Sequence, residues 1–247
     1  VRAHVVTLFP EFFTGPLALS ILGRAVERGV ARVTCTNPRD FATDRHRTVD
    51  DAPYGGGPGM ILKAPLLVDA VESLVGAGNP RRVPVILLSP QGECFTQARA
   101  AALARTPEFV LVCGHYKGID ERFKDLVVTD EVSIGDFVLS GGEPAALVML
   151  DAVVRLLPGA LGDEDSAAGD SFGIEGQSGL DCAYYTRPPV YRGHAVPQVL
   201  MSGHHARVAT WRTHDAATRT QALRPDLVKE SPSDRGRTQA GGRRESH

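Results

Sequence analysis

The chain has 247 residues, 43% of them hydrophobic and 23% charged, and carries a formal net charge of −2. That length buries a full core as one large domain or two small ones, and the balance is ordinary for a soluble globular protein. No apolar run approaches the roughly 20 residues that span a bilayer, and the first residues enter a strand-like run with no basic leader, so a cytoplasmic enzyme with no membrane partner is expected.

The four cysteines, Cys35, Cys94, Cys113 and Cys182, lie far apart and show no metal-ligand spacing. Structural zinc is therefore not expected, and Cys113, within an apolar run, reads as a small core residue. Charge is uneven: from Gly203 onward there are 9 Lys/Arg against 5 Asp/Glu, and the remaining 202 residues carry 18 against 24. A locally basic C-terminal part suits either a phosphate backbone or a solvated helix surface.

In chain order, residues 4–9 read as a buried strand ending at Pro10. Residues 17–28 have helical spacing, with Leu19, Leu22 and Val26 on one face and Gly29 as a stop. Residues 31–36 alternate as a strand. The stretch 40–60 is charged and then glycine-rich; its Tyr54-Gly-Gly-Gly-Pro-Gly-Met60 end lacks both the P-loop ending and the dinucleotide spacing, and reads as a tight loop over a neighbouring pocket or subunit. Residues 64–74 and 96–105 suit helices, and 85–88 and 109–113 strands. Alternation at this pitch predicts an α/β domain with a mostly parallel sheet, whose ligands bind beyond the carboxyl ends of the strands.

Three apolar runs end in Gly- or Pro-marked loops: Val85 onward into Ser89-Pro90-Gln91-Gly92, Val110 onward into Gly114-His115-Tyr116-Lys117-Gly118, and Val132 onward into Gly135 and Gly141-Gly142. Pooled, they make one pocket, followed by a helical run over 145–157. Residues 163–179 are small, polar and acidic and read as a mobile linker or lid. Two helices, over 203–211 and 216–223, are expected beyond it, and the tail over 231–247 is expected to be disordered.

Five motifs in order, Tyr54-Gly-Gly-Gly-Pro-Gly-Met60, Leu88-Ser-Pro-Gln-Gly92, Gly114-x-Tyr-x-Gly-Ile-Asp-Glu-Arg122, Ser133-Ile-Gly-Asp-Phe-Val-Leu-Ser-Gly-Gly-Glu143 and Tyr185-Thr-Arg-Pro188, resemble the bacterial tRNA (guanine-N1)-methyltransferases of the SPOUT class. The resemblance implies a deep trefoil knot in the α/β domain, which topology rules would otherwise reject. It implies methyl transfer from S-adenosyl-L-methionine to N1 of the guanosine immediately 3′ of the anticodon, where it follows another guanosine, a modification that helps maintain the reading frame. It further implies a homodimer with the active site at the subunit interface, and admits Mg²⁺ as an indirect participant. The domains would be 1–160, catalytic; 161–180, a lid; 181–230, small, helical and tRNA-binding; and 231–247, the tail.

Carried onto this chain, the cofactor pocket would comprise Leu87, Leu88, Ser89, Pro90, Gly114, Tyr116, Gly118, Ser133, Ile134, Gly135, Asp136, Phe137, Val138, Leu139, Gly141 and Gly142. N1 of guanine carries a proton at neutral pH, so transfer needs a proton acceptor, and the charge developing at O6 needs a cationic donor. The matching positions are Asp170 on the lid and Arg155 after the glycine loop's helix, with Asp163, Glu164 and Asp165 as rival acids. The substrate would meet Arg45, His46, Arg47 and Asp50, with Ser166 and Phe172 flanking the base and Arg207, Arg212, Arg219 and Arg224 on phosphates.

Two departures stand out: Gly114-His115-Tyr116-Lys117-Gly118 replaces the family's usual Gly-Arg-Tyr-Glu-Gly, reversing a charge at Lys117, and Gly169 stands where an acid usually precedes the aspartate. A ribose 2′-O-methyltransferase of the same class and a catalytically dead tRNA-binding module remain open alternatives. A Rossmann-type dehydrogenase lacks its fingerprint.

Overall fold

Runs of aliphatic residues bounded by turn residues become the strands of a five-stranded sheet: β1 (Arg2–Val6), β2 (Arg32–Thr36), β5 (Val85–Cys94), β6 (Glu108–Cys113) and β8 (Asp130–Ser133). Their spatial order is β2-β1-β6-β5-β8 and every pairing is parallel. The structure, a computed structural model, describes residues 1–77, 82–161, 170–173 and 179–228. The chain divides into two units, Val1–Ala167 and Ala168–His247.

Side chains alternate across a strand, and here both faces are buried, as a parallel sheet requires. Phe109, Leu111 and Cys113 of β6 face one core with α3 (Gln97–Ala104) and α5 (Glu143–Val154), which contributes Met149, Leu150 and Val153. Val110 and Val112 face the other, packed with Leu67 and Val71 of α2 (Ala64–Val75) and Phe123 of α4 (Glu121–Val127). A third cluster joins Leu22 and Ala25 of α1 (Ser20–Glu27) to Val154 and Leu157. A small sheet, β3 (Asp50–Asp51), β4 (Ile61–Leu62) and β7 (Gly118–Ile119), stands beside the main one.

Two details differ from expectation in the first unit. The first strand begins and ends earlier than 4–9, because its register matches Arg2 to Glu108 and Arg32, and a 3₁₀ turn, Pro10–Phe13, takes up the residues beyond Leu8. The strand expected at 85–88 continues to Cys94: both Leu88 and Glu93 pair with Val132, so residues 89–92 bulge out of the ladder. Gly92 makes that return feasible, since a Cβ there would overlap the Glu131 carbonyl carbon and the Val132 nitrogen.

In the second unit a hairpin joins β9 (Val190–Tyr191) to β10 (His194–Ala195), with Arg192 and Gly193 both at positive φ in its two-residue turn. Instead of two helices there is one, α6 (His205–Leu223). The polar stretch Thr213-His214-Asp215 contains no Gly or Pro and does not break it. Its threonines turn inward, Thr210, Thr213, Thr218 and Thr220 each donating to the carbonyl four residues back. Among the described residues no helix is long and apolar enough to cross a membrane.

Replacing Gly92 with Ala should cost about 1–3 kcal/mol, the usual size of an overpacking penalty, read as a lower midpoint in urea unfolding, because backbone rather than a flexible side chain must give way.

Candidate active site

Three neighbouring strands, β6, β5 and β8, end on the same edge of the sheet, and the loops that follow them enclose a cavity of about 410 Å³. Its lining includes Leu87, Leu88, Ser89 and Pro90 from the first loop, Gly114, Tyr116 and Gly118 from the second, and Ser133, Ile134, Gly135, Phe137, Val138, Leu139, Gly141 and Gly142 from the third. Asp136, in the same loop, is not among the lining residues. The wall also includes Gln91, His115 and Lys117, which lie in the pooled loops but outside the expected cofactor contacts, and Ile61, Glu121 and Lys124, which the sequence did not place there.

Each loop is held by local chemistry. Ser133 closes the third: its Oγ donates to the Gly135 carbonyl at 3.0 Å and accepts from the Gly135 N–H at 3.2 Å. Gly135 sits at φ 149°, where a Cβ would strike the Phe137 ring. Tyr116 adopts φ 58°, a left-handed conformation seldom taken by an aromatic residue, with its ring half-exposed at the cavity. The Gly142 N–H donates to the Gly114 carbonyl at 2.9 Å, and a Cβ on Gly142 would lie 2.7 Å from the Cys113 Cα. The third loop therefore lies on the end of β6 backbone to backbone.

The charged wall is organised by Lys124, whose Nζ is 3.3 Å from Gln91 Oε1, 3.2 Å from Glu121 Oε1 and 3.3 Å from Glu131 Oε1. Burial works against its charge, and the Glu121 and Glu131 carboxylates outweigh it, holding the ammonium above the ordinary lysine range. This lysine fastens the 89–92 bulge to α4 and β8. Lys117 has a different partner: its N–H donates to the Met60 carbonyl at 3.1 Å, and its stem lies 3.3 Å from where a Gly59 Cβ would stand. The glycine-rich loop over 54–60 thus lies against the cavity rim, with Tyr54 fully exposed.

The same small sheet links the expected substrate-binding turn to the cavity, since Ile61 pairs with Gly118 and Leu62 with both Ile119 and Asp50. In that turn Asp44 accepts from the His46 N–H and from both the N–H and hydroxyl of Thr48, and the Thr48 hydroxyl holds its carboxyl below the usual range. Arg45, His46 and Arg47 are exposed and Asp50 half-buried. Arg47, at φ 50°, pairs with Asp40 at 2.6 Å.

The family model described as tRNA (Guanine-1)-methyltransferase TrmD matches residues 1–230. The chain belongs to the tRNA (guanine-N1)-methyltransferase family. It is 52% identical over 229 residues to the tRNA (guanine-N(1)-)-methyltransferase of Brevibacillus brevis, covering 93% of this chain and 92% of that one. With the enzyme of the same name from Moorella thermoacetica the identity is 50% over 248 residues, covering 99% and 98%. With that from Alcanivorax borkumensis it is 51% over 225 residues, covering 91% and 84%.

Set beside that family, the remaining expected site residues divide between the two units. Arg155 follows α5 directly, half-buried, its N–H donating to the Asp151 carbonyl at 3.1 Å. Asp170 opens the described part of the second unit and is half-buried. Phe172 follows at φ 65°, its N–H bonded to the Gly179 carbonyl at 2.9 Å and the Arg224 guanidinium 5.7 Å from its ring. Arg207 and Arg212 are exposed on α6, with Arg212 5.8 Å from the Tyr184 ring; Arg219 is exposed there too, and Arg224 pairs with Asp226 at 2.8 Å. Hydrogen-bonded to Asp181, the Tyr184 phenol is pushed up to about 12. Ser166, the rival acids Asp163, Glu164 and Asp165, Gly169 and the tail lie outside the described residues.

Cys113 is buried behind the glycine pair, and burial, reinforced by the nearby Glu143 charge, pushes its thiol well above the ordinary range, while burial alone takes Cys35 to about 11. Only thiolate alkylates, so at about pH 8 the native chain should lose its exposed Cys94 thiol quickly and the other three slowly. Mass spectrometry after iodoacetamide, with a urea-unfolded sample in which all four react, checks this.

Proposed function

We propose that the chain transfers a methyl group from S-adenosyl-L-methionine to N1 of the guanosine immediately 3′ of a tRNA anticodon that follows another guanosine. The observation that carries the reading is the cavity walled by the loops of three family motifs at adjacent strand ends, in a chain whose family is established over residues 1–230. The residues suit this donor. Gly114, Gly141 and Gly142 bare their peptide groups to a flat heterocycle, and Leu87, Leu88, Ile134 and Leu139 offer apolar surface to its faces. Bound there, the donor supplies an electrophilic methyl group on its sulfonium.

Asp170 accepts the N1 proton as the methyl arrives, and Arg155 donates to the oxyanion growing at O6. Phe172 and Ser166 flank the base. Residues 161–180 act as a lid, so the constellation is complete only with RNA in place, which ties rate to recognition. Arg45, His46, Arg47 and Asp50 engage the RNA near the reacting nucleotide, and Arg207 and Arg212 meet its phosphates.

Two further features belong to this reading. Membership of the family, over residues 1–230, supports a chain threaded as a trefoil knot. Phe137, Val138 and Leu139 expose 53%, 87% and 39% of their surface beside the cavity, which supports a second subunit covering that edge and a shared site in a homodimer. Among the described residues no three His, Cys, Asp or Glu side chains gather as a metal site.

Unmodified tRNA incubated with methyl-labelled S-adenosylmethionine, digested and resolved by nucleoside should carry label on guanine N1. Asp170→Asn and Arg155→Ala should each lower kcat by about 10²–10⁴, the range for a lost acid–base or oxyanion group. Label on a ribose 2′-oxygen, or undiminished transfer in Asp170→Asn, would refute the assignment.

A further inference from the structure

Glu143 is the only buried charged side chain among the described residues, with 3% of its surface exposed. A carboxylate in that position needs partners on both oxygens. Thr7, just past β1 and itself buried, donates its hydroxyl to Oε1 at 2.7 Å, and the same hydroxyl oxygen accepts the Phe9 N–H at 3.0 Å. His115, at the cavity wall, brings Nε2 to 3.3 Å from Oε2. The first turn of α5 favours the anion as well.

The pair lies directly behind the glycine loop. A Cβ on Gly141 would run into both the His115 ring and the Glu143 carboxylate, and the backbones of His115 and Gly141 bridge one another. So Gly141 presents bare peptide toward the cavity, and behind it the His115 ring and the Glu143 carboxylate fill the space a side chain would take. We propose that Thr7, Glu143 and His115 are positioning residues that hold the Gly141–Gly142 loop in its cofactor-binding shape, and that protonation of His115 tightens that hold. The proposal rests on the cofactor reading given above.

Its sign follows from the chemistry. Protonated, His115 offers Glu143 a full ion pair; deprotonated, it leaves a buried anion held by Thr7 and whatever a neutral ring donates. The titratable groups around the ring are Glu143 from α5, the Cys113 thiol from β6 and the adjacent Tyr116 phenol, with Phe9 packed 5.0 Å away on the β1 side. The Cys113 thiol, raised well above its usual range, does not compete for the proton.

The test is the dissociation constant of S-adenosylhomocysteine for the full chain, by calorimetry, from about pH 6 to about pH 8.5, across which histidines lose their proton. The wild type should bind about tenfold more weakly at the upper end, the scale of one charge-assisted hydrogen bond. His115→Arg, a permanent cation, should bind tightly with little pH dependence, and Glu143→Gln weakly and equally flat. The wild-type series and His115→Arg decide the matter even where Glu143→Gln does not fold. A flat wild-type profile, or a His115→Arg profile parallel to it, overturns the proposal and leaves the methyltransferase reading standing. No binding at any pH overturns the cofactor reading and this proposal together.

Discussion

The close approach of residues 141–142 to the end of β6 is the constraint on which the cavity depends. The Gly142 N–H reaches the Gly114 carbonyl, and the space a side chain would occupy is filled by the Cys113 backbone at one glycine and by the His115 ring at the next. Backbone contact of this kind leaves no side chain to repack, so the third loop is held directly against the second. The first loop is fixed separately, by Gly92 lying on β8 and by Lys124 tying Gln91 to α4. Together these contacts turn three adjacent strand ends into one shaped pocket without a single long insertion.

Much of this was legible in the residues. The apolar runs at 85–88 and 109–113 lie within strands, the alternating segments built a parallel sheet, and the Gly- and Pro-marked ends of three runs converge as their pattern implied. What periodicity missed has physical causes. Residues 89–93 lack any apolar period, so the strand's return to β8 was invisible; only the Gly92 position hints at close backbone approach. Glu143 reads as an ordinary acidic residue opening a helix, and its burial comes from Thr7, 136 positions away, and from a histidine in another loop. Two helices were expected, over 203–211 and 216–223, yet residues 212–215 contain no Gly or Pro to interrupt the backbone, and α6 runs through them. The crossing that would make a knot leaves no trace in composition or spacing, and came only from resemblance.

The charge reversal at Lys117 acts through what the residue touches. Its N–H and stem seat the 54–60 loop through Met60 and Gly59, and those contacts need a side chain of some length but no particular sign. Its head, by contrast, belongs to the rim of a cavity whose other ionisable lining residues include His115, Lys124 and Glu121. Lys124 is spent on Gln91, Glu121 and Glu131, so Glu121, although its side chain is 75% exposed, already shares its charge with that lysine. Lys117 in turn meets a carboxylate better than an acid would. The reversal at 117 therefore leaves the seating of the 54–60 loop as it is and changes only the electrostatics of the rim, while the backbone and apolar walls of the cavity carry no charge for it to act on.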